Sequence, residues 1–348
     1  MRVGLVSPYD LGGRGGVLDQ VIGLAGWVRD VVQFPIFVGP GDVGHPGAIV
    51  LGRTTVLTVN RAETPVRLDP RVGREITRAL ADVDVIHVHE PLAPAVSLSA
   101  LRVDGPPKVA TFHADPPLWV RRLYRYGRSG VRMALGRASV VTVTSPISGG
   151  SIDGIVDYRI IPNGIDVQSY SRGPKEPCRV AFLGRDDERK GLSVLLDAWP
   201  AVREAIPEAT LAVMGADRGA AGDGVQYLGW VDDDAKRDIL AAATVFCAPN
   251  LGGESFGIIL AEAMASGCAV VASTIPAFEY VAGPAARFVN PGESAPLARE
   301  IIGLLVNSAD AHDLGHAAAE RVQRFDGSAV AAAFVDAYED ALAAHASV

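Results

Sequence analysis

The sequence predicts an α/β protein of two Rossmann-like domains facing a central cleft. Three observations carry this. Short β-branched apolar runs alternate with longer helical patterns along all 348 residues, the rhythm of doubly wound parallel sheets. Several of these runs are apolar throughout, as in strands covered on both faces. The pattern then restarts near Cys178, and a domain size of about 150 residues divides this length into two.

In the first half, strands are expected at 2–7, 35–38, 83–89, 108–112 and 140–144, with a helix at 17–29 after the first. Residues 145–175 are rich in Gly, Ser, Pro and Asn. Within them, Ile161-Pro162-Asn163-Gly164 carries a turn signal, and Pro162 removes a ladder donor. The junction is placed at 164–176. In the second half, strands are expected at 180–183, 210–214, 225–228, 244–248, 269–272 and 287–289. The apolar helix 328–344 is expected to pack back across the junction. The division is therefore 1–165, 166–327 and a returning segment 328–348. Ligands in such folds sit at the C-terminal ends of the strands.

Hydrophobic residues make up 49% and charged residues 21%, which excludes a disordered chain. A net charge of −8 argues against nucleic acid as a partner. Cys178, Cys247 and Cys268 are too few and too widely spaced for a disulfide framework or a CxxC metal site. They read as small buried residues in a reducing cytoplasm. No signal peptide and no apolar run of about 18 residues is apparent, so any work on a membrane is done from its surface.

Four segments carry candidate chemistry. The first turn, from Ser7 to Gly16, is glycine-rich and opens a helix, which suits a phosphate; a flexible capped loop is the plain alternative. Arg185 and Lys190 flank a second helix start and suit a diphosphate, although a solvated charged turn has the same composition. Gly252-Gly253-Glu254-Ser255-Phe256-Gly257-Ile258 continues to Glu262, placing two carboxylates eight residues apart, the second about two turns into a helix. In that apolar helix an ionised Glu262 needs a partner. His113 closes a strand and faces the ligand side, or is a satisfied core histidine. His87 and His89 alternate and share one face.

In these motifs the chain resembles the retaining GT-B glycosyltransferases, and within them the actinobacterial phosphatidylinositol mannosyltransferases. Pro8-Tyr9 with Gly15-Gly16, His87-Val88-His89-Glu90-Pro91, the His113 strand, Ile161-Pro162-Asn163-Gly164, Arg185 with Arg189-Lys190, Val231 and Asp233 with Lys236, and the Glu254–Glu262 element carry the likeness. The resemblance implies that Gly16, Arg185, Arg189 and Lys190 hold the diphosphate and that Val231, Asp233 and Lys236 lie beside a guanine. It also implies that Glu254, Ser255, Phe256, Gly257 and Ile258 meet sugar and phosphates, that Glu262 binds the ribose, and that His113 and Glu254 serve catalysis. Tyr9 and Arg67 would contact the acceptor. Leu18 stands where the family has glutamine, and Pro65 where it has an arginine. The family's basic membrane helix is thinned to Arg71, Arg74 and Arg78 with Glu75 among them; Arg121, Arg122, Arg125 and Arg128 follow His113 and could meet headgroups.

The implied function is retaining transfer of mannose from GDP-mannose to a membrane lipid such as phosphatidylinositol, without a metal or other cofactor, on the inner face of the cell membrane. The alternatives are another nucleotide-sugar donor, a soluble acceptor, or a nucleotide-sugar epimerase, which would carry acid and base carboxylates on its N-terminal side.

Overall fold

The computed structural model divides into two compact units, Met1–Gly164 with Gly327–Val348, and Ile165–Asp326. It describes residues 1–347 apart from 14, 30, 33–34, 42–46, 53, 60–61, 68, 70, 171–172 and 220–221, with backbone alone at 56–59 and 62–66.

The first unit contains β1 (Val3–Val6), β2 (Ile36–Gly39), β3 (Ile49–Val50), the hairpin β4 (Thr55–Val59) and β5 (Ala62–Val66), β6 (Val85–His89), β7 (Lys108–Phe112), β8 (Val140–Val143) and β9 (Arg159–Ile160). Seven of these form a parallel sheet in the order β3-β2-β1-β6-β7-β8-β9. Its helices are α1 (Gly16–Trp27), α2 (Val72–Ala79), α3 (Val96–Ala100), α4 (Leu118–Tyr126), α5 (Arg128–Leu135) and α6 (Pro146–Gly149). Every residue of β1, β6 and β7 is buried, because helices cover both faces. Val3, Leu5 and Val85 face Val21, Leu24 and Val28 of the α1 segment. Val6, Ile86 and Val88 face Val72 and Ile76 of α2 and Leu80 just after it. That i, i+4, i+8 spacing explains α2, which turns its arginines outward.

All five strands expected in this half are present. The strand expected from 83 begins at Val85, since Asp84 instead accepts from the Arg2 amide at 2.7 Å. Sequence reading missed β3, β9 and the antiparallel hairpin. In the hairpin Pro65 pairs with Val56; its side chain lies outside the described residues.

The second unit contains β10 (Glu176–Leu183), β11 (Thr210–Met214), β12 (Val225–Gly229), β13 (Ala243–Ala248), β14 (Ala269–Ser273) and β15 (Arg287–Val289), all parallel in the order β12-β11-β10-β13-β14-β15. Its helices are α7 (Leu192–Ala205), α8 (Asp233–Ala242), α9 (Ile258–Ala265), α10 (Pro276–Ala282), α11 (Ser294–Val306) and α12 (Ser308–Arg321). Val180, Phe182 and Val245 pack on α7 and α11. Ala181, Phe246 and Val270 pack on α9 and α10. β10 begins before the expected 180, but its register shifts between Glu176 and Val180 around Cys178, whose φ is 60°. Cys247 and Cys268 are buried as expected; Cys178 is only partly so.

The last helix, α13 (Gly327–Ala346), belongs to the first unit. Its Val330, Phe334, Ala337, Tyr338 and Ala341 join the cluster around α1. The chain leaves that unit at Gly164 and re-enters at Gly327, and both glycines lie on the Trp27 indole. A Cβ would fall 2.5 Å from the ring at Gly164 and 2.3 Å from it at Gly327. Gln20, on the same helix, donates to the Gly164 carbonyl at 2.9 Å and accepts from its amide at 2.8 Å.

Candidate functional site

In the second unit, the turns after β10 and β13 are stitched together. The Leu251 amide donates to the Arg189 carbonyl at 2.8 Å. Gly191, at φ 72°, lies so close beneath Pro249 that a Cβ would come within 1.9 Å of that carbonyl. Only glycine fits there, on both steric and dihedral grounds. Asp187 caps the first turn: its carboxylate accepts from the Arg189 amide at 3.0 Å and pairs with the guanidinium at 2.7 Å. These bonds hold its pKa down at about 2.

The stitching brings Lys190 and Glu254 into an ion pair, with both side chains mostly buried. Arg185, two residues past the end of β10, is exposed and makes no ion pair among the described residues. The two cations and the first carboxylate therefore gather at the C-terminal ends of β10 and β13. Gly257, at φ 98°, caps α9. The helix starts at Ile258, so Glu262 lies one turn in, not two. The Phe256 ring is buried against Phe325, with centroids 5.2 Å apart, so in this turn Phe256 presents its backbone. Ser255 and Ile258 are partly buried in the same turn.

Glu262 is 8% exposed and has the partner its burial demands. Its Oε1 accepts from Lys236 Nζ and from the Tyr170 hydroxyl, each at 2.8 Å. Burial, reinforced by the Glu262 charge, pushes the Tyr170 phenol far up. Lys236 also pairs with Asp233 at 2.9 Å, and its pKa is raised because these carboxylates outweigh its desolvation. Val231 lies partly buried next to this group in sequence. Tyr170 was missed, since nothing in its Ser- and Gly-rich surroundings marks it. Asn250 was missed too; it is 1% exposed, and its side-chain amide nitrogen lacks a partner among the described residues.

In the first unit, β6 and β7 place three imidazoles side by side. The His87 and His89 rings lie with centroids 4.1 Å apart, tilted by 34°, confirming their common face. His89 Nδ1 lies 2.8 Å from His113 Nε2. His113 Nδ1 lies 3.2 Å from Asn163 Oδ1, so the turn read from Ile161-Pro162-Asn163-Gly164 also supplies a histidine partner. Both ring nitrogens of His113 are thus engaged. Burial pulls its pKa down to about 4 and that of His87 to about 3, leaving both neutral at pH 7. Glu90, at φ 47°, accepts from the His113 and Ala114 amides at 2.9 and 2.8 Å. Burial pushes its carboxyl up to about 7 against those two bonds. Burial, then Glu90, raises the Tyr9 phenol.

Gly16 is exposed at the first turn of α1, whereas Leu18 is 3% exposed and part of the core. Arg67 forks onto Glu75 at 2.8 and 3.1 Å and also reaches Asp69 at 3.3 Å. An acceptor phosphate would have to compete with both carboxylates. Arg71, Arg74 and Arg78 are exposed. Among the described residues no group of three His, Cys, Asp or Glu could hold a metal ion, and no helix is long and apolar enough to cross a membrane.

Comparison with known proteins adds to this geometry. Residues 25–169 match the sequence profile of Glycosyltransferase Family 4, and residues 177–307 that of Glycosyl transferases group 1. The phosphatidyl-myo-inositol mannosyltransferase of Mycobacterium leprae is 37% identical, covering 97% of this chain and 96% of its own. That of Mycolicibacterium smegmatis is 36% identical, over 97% and 94%. Among solved structures, sucrose-phosphate synthase from Thermosynechococcus elongatus superposes with a TM-score of 0.74 at 21% identity, over 99% of each chain. Anabaena HepE in complex with UDP and glucose gives 0.70 at 19%, over 97% of this chain and 99% of its own. These superpositions establish the GT-B fold.

Proposed function

The chain is a glycosyltransferase belonging to the phosphatidyl-myo-inositol mannosyltransferase family, and on that premise we propose that it transfers mannose from GDP-mannose, with retention, to a phosphatidylinositol-type membrane lipid. The observation that carries the reading is the meeting of Lys190 with Glu254 beside Arg185, at the strand ends where this fold takes its ligands.

In this reading Arg185 and Lys190 stabilise the charge that grows on the departing diphosphate, together with the amides of the two turns. Arg189 stays with Asp187 and shapes the first turn. Glu254, released from Lys190 as the diphosphate enters, orients the mannose hydroxyls. Glu262 keeps Oε2 for the ribose, since both of its partners sit on Oε1. The guanine lies along Val231 and Asp233. The bond from sugar C1 to the β-phosphate oxygen breaks as the acceptor hydroxyl oxygen attacks the same face. The acceptor proton passes to the leaving phosphate oxygen, so no protein base is consumed. His113, held neutral, orients a hydroxyl by exchanging its longer contact, the one to Asn163, for the ligand.

The nearby acids do not offer a metal site in this reading. Asp186 pairs with Arg218 at 2.6 Å, Asp187 with Arg189, and Asp232 caps α8 by accepting from the Ala235 amide at 2.8 Å. A donor and acceptor screen tests the proposal. It would offer GDP-mannose, UDP-glucose and UDP-N-acetylglucosamine, with and without phosphatidylinositol. Mannosyl lipid formed only from GDP-mannose is the expected product.

A further inference from the structure

The helix α4 has no buried residue. Leu118, Trp119, Leu123 and Tyr126 are 71%, 66%, 59% and 87% exposed, and Met133 on α5 is 74% exposed. Single exposed apolar side chains need no explanation. Here five of the thirteen large ones on the described surface fall within 118–133, and such clusters mark an interaction site. The spacing is helical: Trp119, Leu123 and Tyr126 form one stripe, while Leu118, Arg122 and Arg125 form the stripe beside it. On the opposite side, Tyr124 packs on the unit's core and Arg121 pairs with Asp115.

The charge is equally local. Residues 116–152 hold six arginines and no Asp, Glu or Lys, in a chain whose net charge is −8. Arg122 and Arg125 are exposed and make no ion pair among the described residues. Arg128 and Arg132 donate to the Gly154 and Ile155 carbonyls at 3.2 and 3.0 Å, which leaves their charge uncompensated. The α2 face is different. Glu75 interrupts its arginines, and none of its exposed side chains is a large apolar one.

We propose that α4 and the start of α5 are the element that inserts into an anionic bilayer. Trp119, Leu123 and Tyr126 enter the acyl boundary, and Arg122, Arg125 and Arg128 meet lipid phosphates. A helix with an aromatic and aliphatic stripe among basic residues lies in a membrane interface in this manner. The mixed surface selects lipid over other polyanions, because an aqueous polyanion would leave the apolar stripe wet. A second copy would bring like charges together. α4 begins five residues after His113, so its start lies within about 17 Å of it along an extended chain. A bilayer held there presents headgroups at the reactive end. The inference rests on the reading of a membrane-lipid acceptor.

The test is co-sedimentation with phosphatidylcholine vesicles, with and without phosphatidylglycerol. Wild type is compared with a W119S/L123S/Y126S variant, an R122Q/R125Q variant and an R71Q/R74Q/R78Q variant. Far-ultraviolet circular dichroism and thermal unfolding check that each is folded. The apolar variant should lose at least about tenfold in binding. R122Q/R125Q should lose most of the preference for phosphatidylglycerol, and the α2 variant should change binding by less than about threefold. Wild-type binding retained in both α4 variants, loss confined to the α2 variant, or no binding by wild type would each overturn the proposal. Mannosyl transfer to phosphatidylinositol in detergent micelles is run alongside. Transfer in micelles without vesicle binding removes the α4 contact and leaves the function standing. Vesicle binding that follows the α4 variants, without lipid transfer, keeps the contact and removes the acceptor reading.

Discussion

His89 Nδ1 and His113 Nε2 lie 2.8 Å apart, and only one of the two neutral rings carries a proton between them. Asn163 Oδ1 is an acceptor, so His113 carries its proton on Nδ1 and accepts at Nε2. His89 is then the donor, and its Nε2, which has no partner among the described residues, is a bare lone pair. His89 thus positions His113 without reaching a substrate. His89→Phe, which removes the donor, should lower kcat by about 2–10-fold, the worth of one neutral hydrogen bond of about 0.5–1.5 kcal/mol. GDP affinity should stay within about twofold, because the residues assigned to the nucleotide belong to the other unit, Gly16 apart. Steady-state kinetics with calorimetry checks this; equal losses in both would assign His89 to general stability.

The buried titratable groups of the first unit give stability a two-sided pH dependence. His87, His89 and His113 have folded pKa values below the ordinary imidazole value, owing to burial. Their stability is present above about 6.5 and is lost as pH falls toward about 4. Glu90 is raised from 4.5 to about 7, so its contribution is present below 4.5 and is lost as pH rises through 7. The two windows overlap between 4.5 and 6.5, where the imidazoles outnumber the one carboxyl, so thermal unfolding should place the stability maximum near 6.5. Glu90→Gln should abolish the decline from there to 7 and steepen the acid limb; an unaltered profile would remove Glu90 from the account.

Lys190→Ala should weaken GDP binding by about 1.5–3 kcal/mol, the worth of a hydrogen bond to a charged group. Glu254→Gln should instead lower turnover far more than nucleotide affinity, since the loss falls on the sugar in the transition state. Calorimetry and kinetics on both variants separate the roles. Normal turnover in Glu254→Gln at saturating donor would contradict the assignment.

Gly191→Ala forces a Cβ into the Pro249 carbonyl at a left-handed φ. Backbone strain alone costs about 1–3 kcal/mol, and the clash adds to it. Denaturant unfolding should register the loss. GDP binding should fall with it, because the two turns that position Lys190 and Glu254 come apart.

Activity should persist in EDTA, because Asp186 and Asp187 are held by Arg218 and Arg189. Complete loss, restored by magnesium or manganese, would reverse that reading.

Legibility from sequence followed burial. β7 was read at its observed limits because all five of its residues, Lys108 to Phe112, are buried, and its Val109, Ala110 and Phe112 leave an apolar stretch free of turn residues. β3 and β9 are two exposed residues each and leave no such trace. The Arg185–Lys190 and Glu254–Glu262 motifs were visible because the glycines and charges of each lie close in sequence, whereas the ion pair that joins Lys190 to Glu254 spans 64 residues. Tyr170 on Glu262, Asn163 on His113 and Gln20 on Gly164 were not, since each contact spans 50 or more residues and only the fold brings its ends together. The position of Glu262 was misjudged by a turn because Gly257, the cap, looks in sequence like one more loop glycine.

The most direct measurement is transfer from labelled GDP-mannose and labelled UDP-glucose to phosphatidylinositol, with the product's anomeric linkage read by NMR. The account predicts an α-linked mannosyl lipid from GDP-mannose and little or no product from UDP-glucose. Equal or faster transfer from UDP-glucose, a β-linked product, or transfer to soluble acceptors with none to the lipid would contradict it.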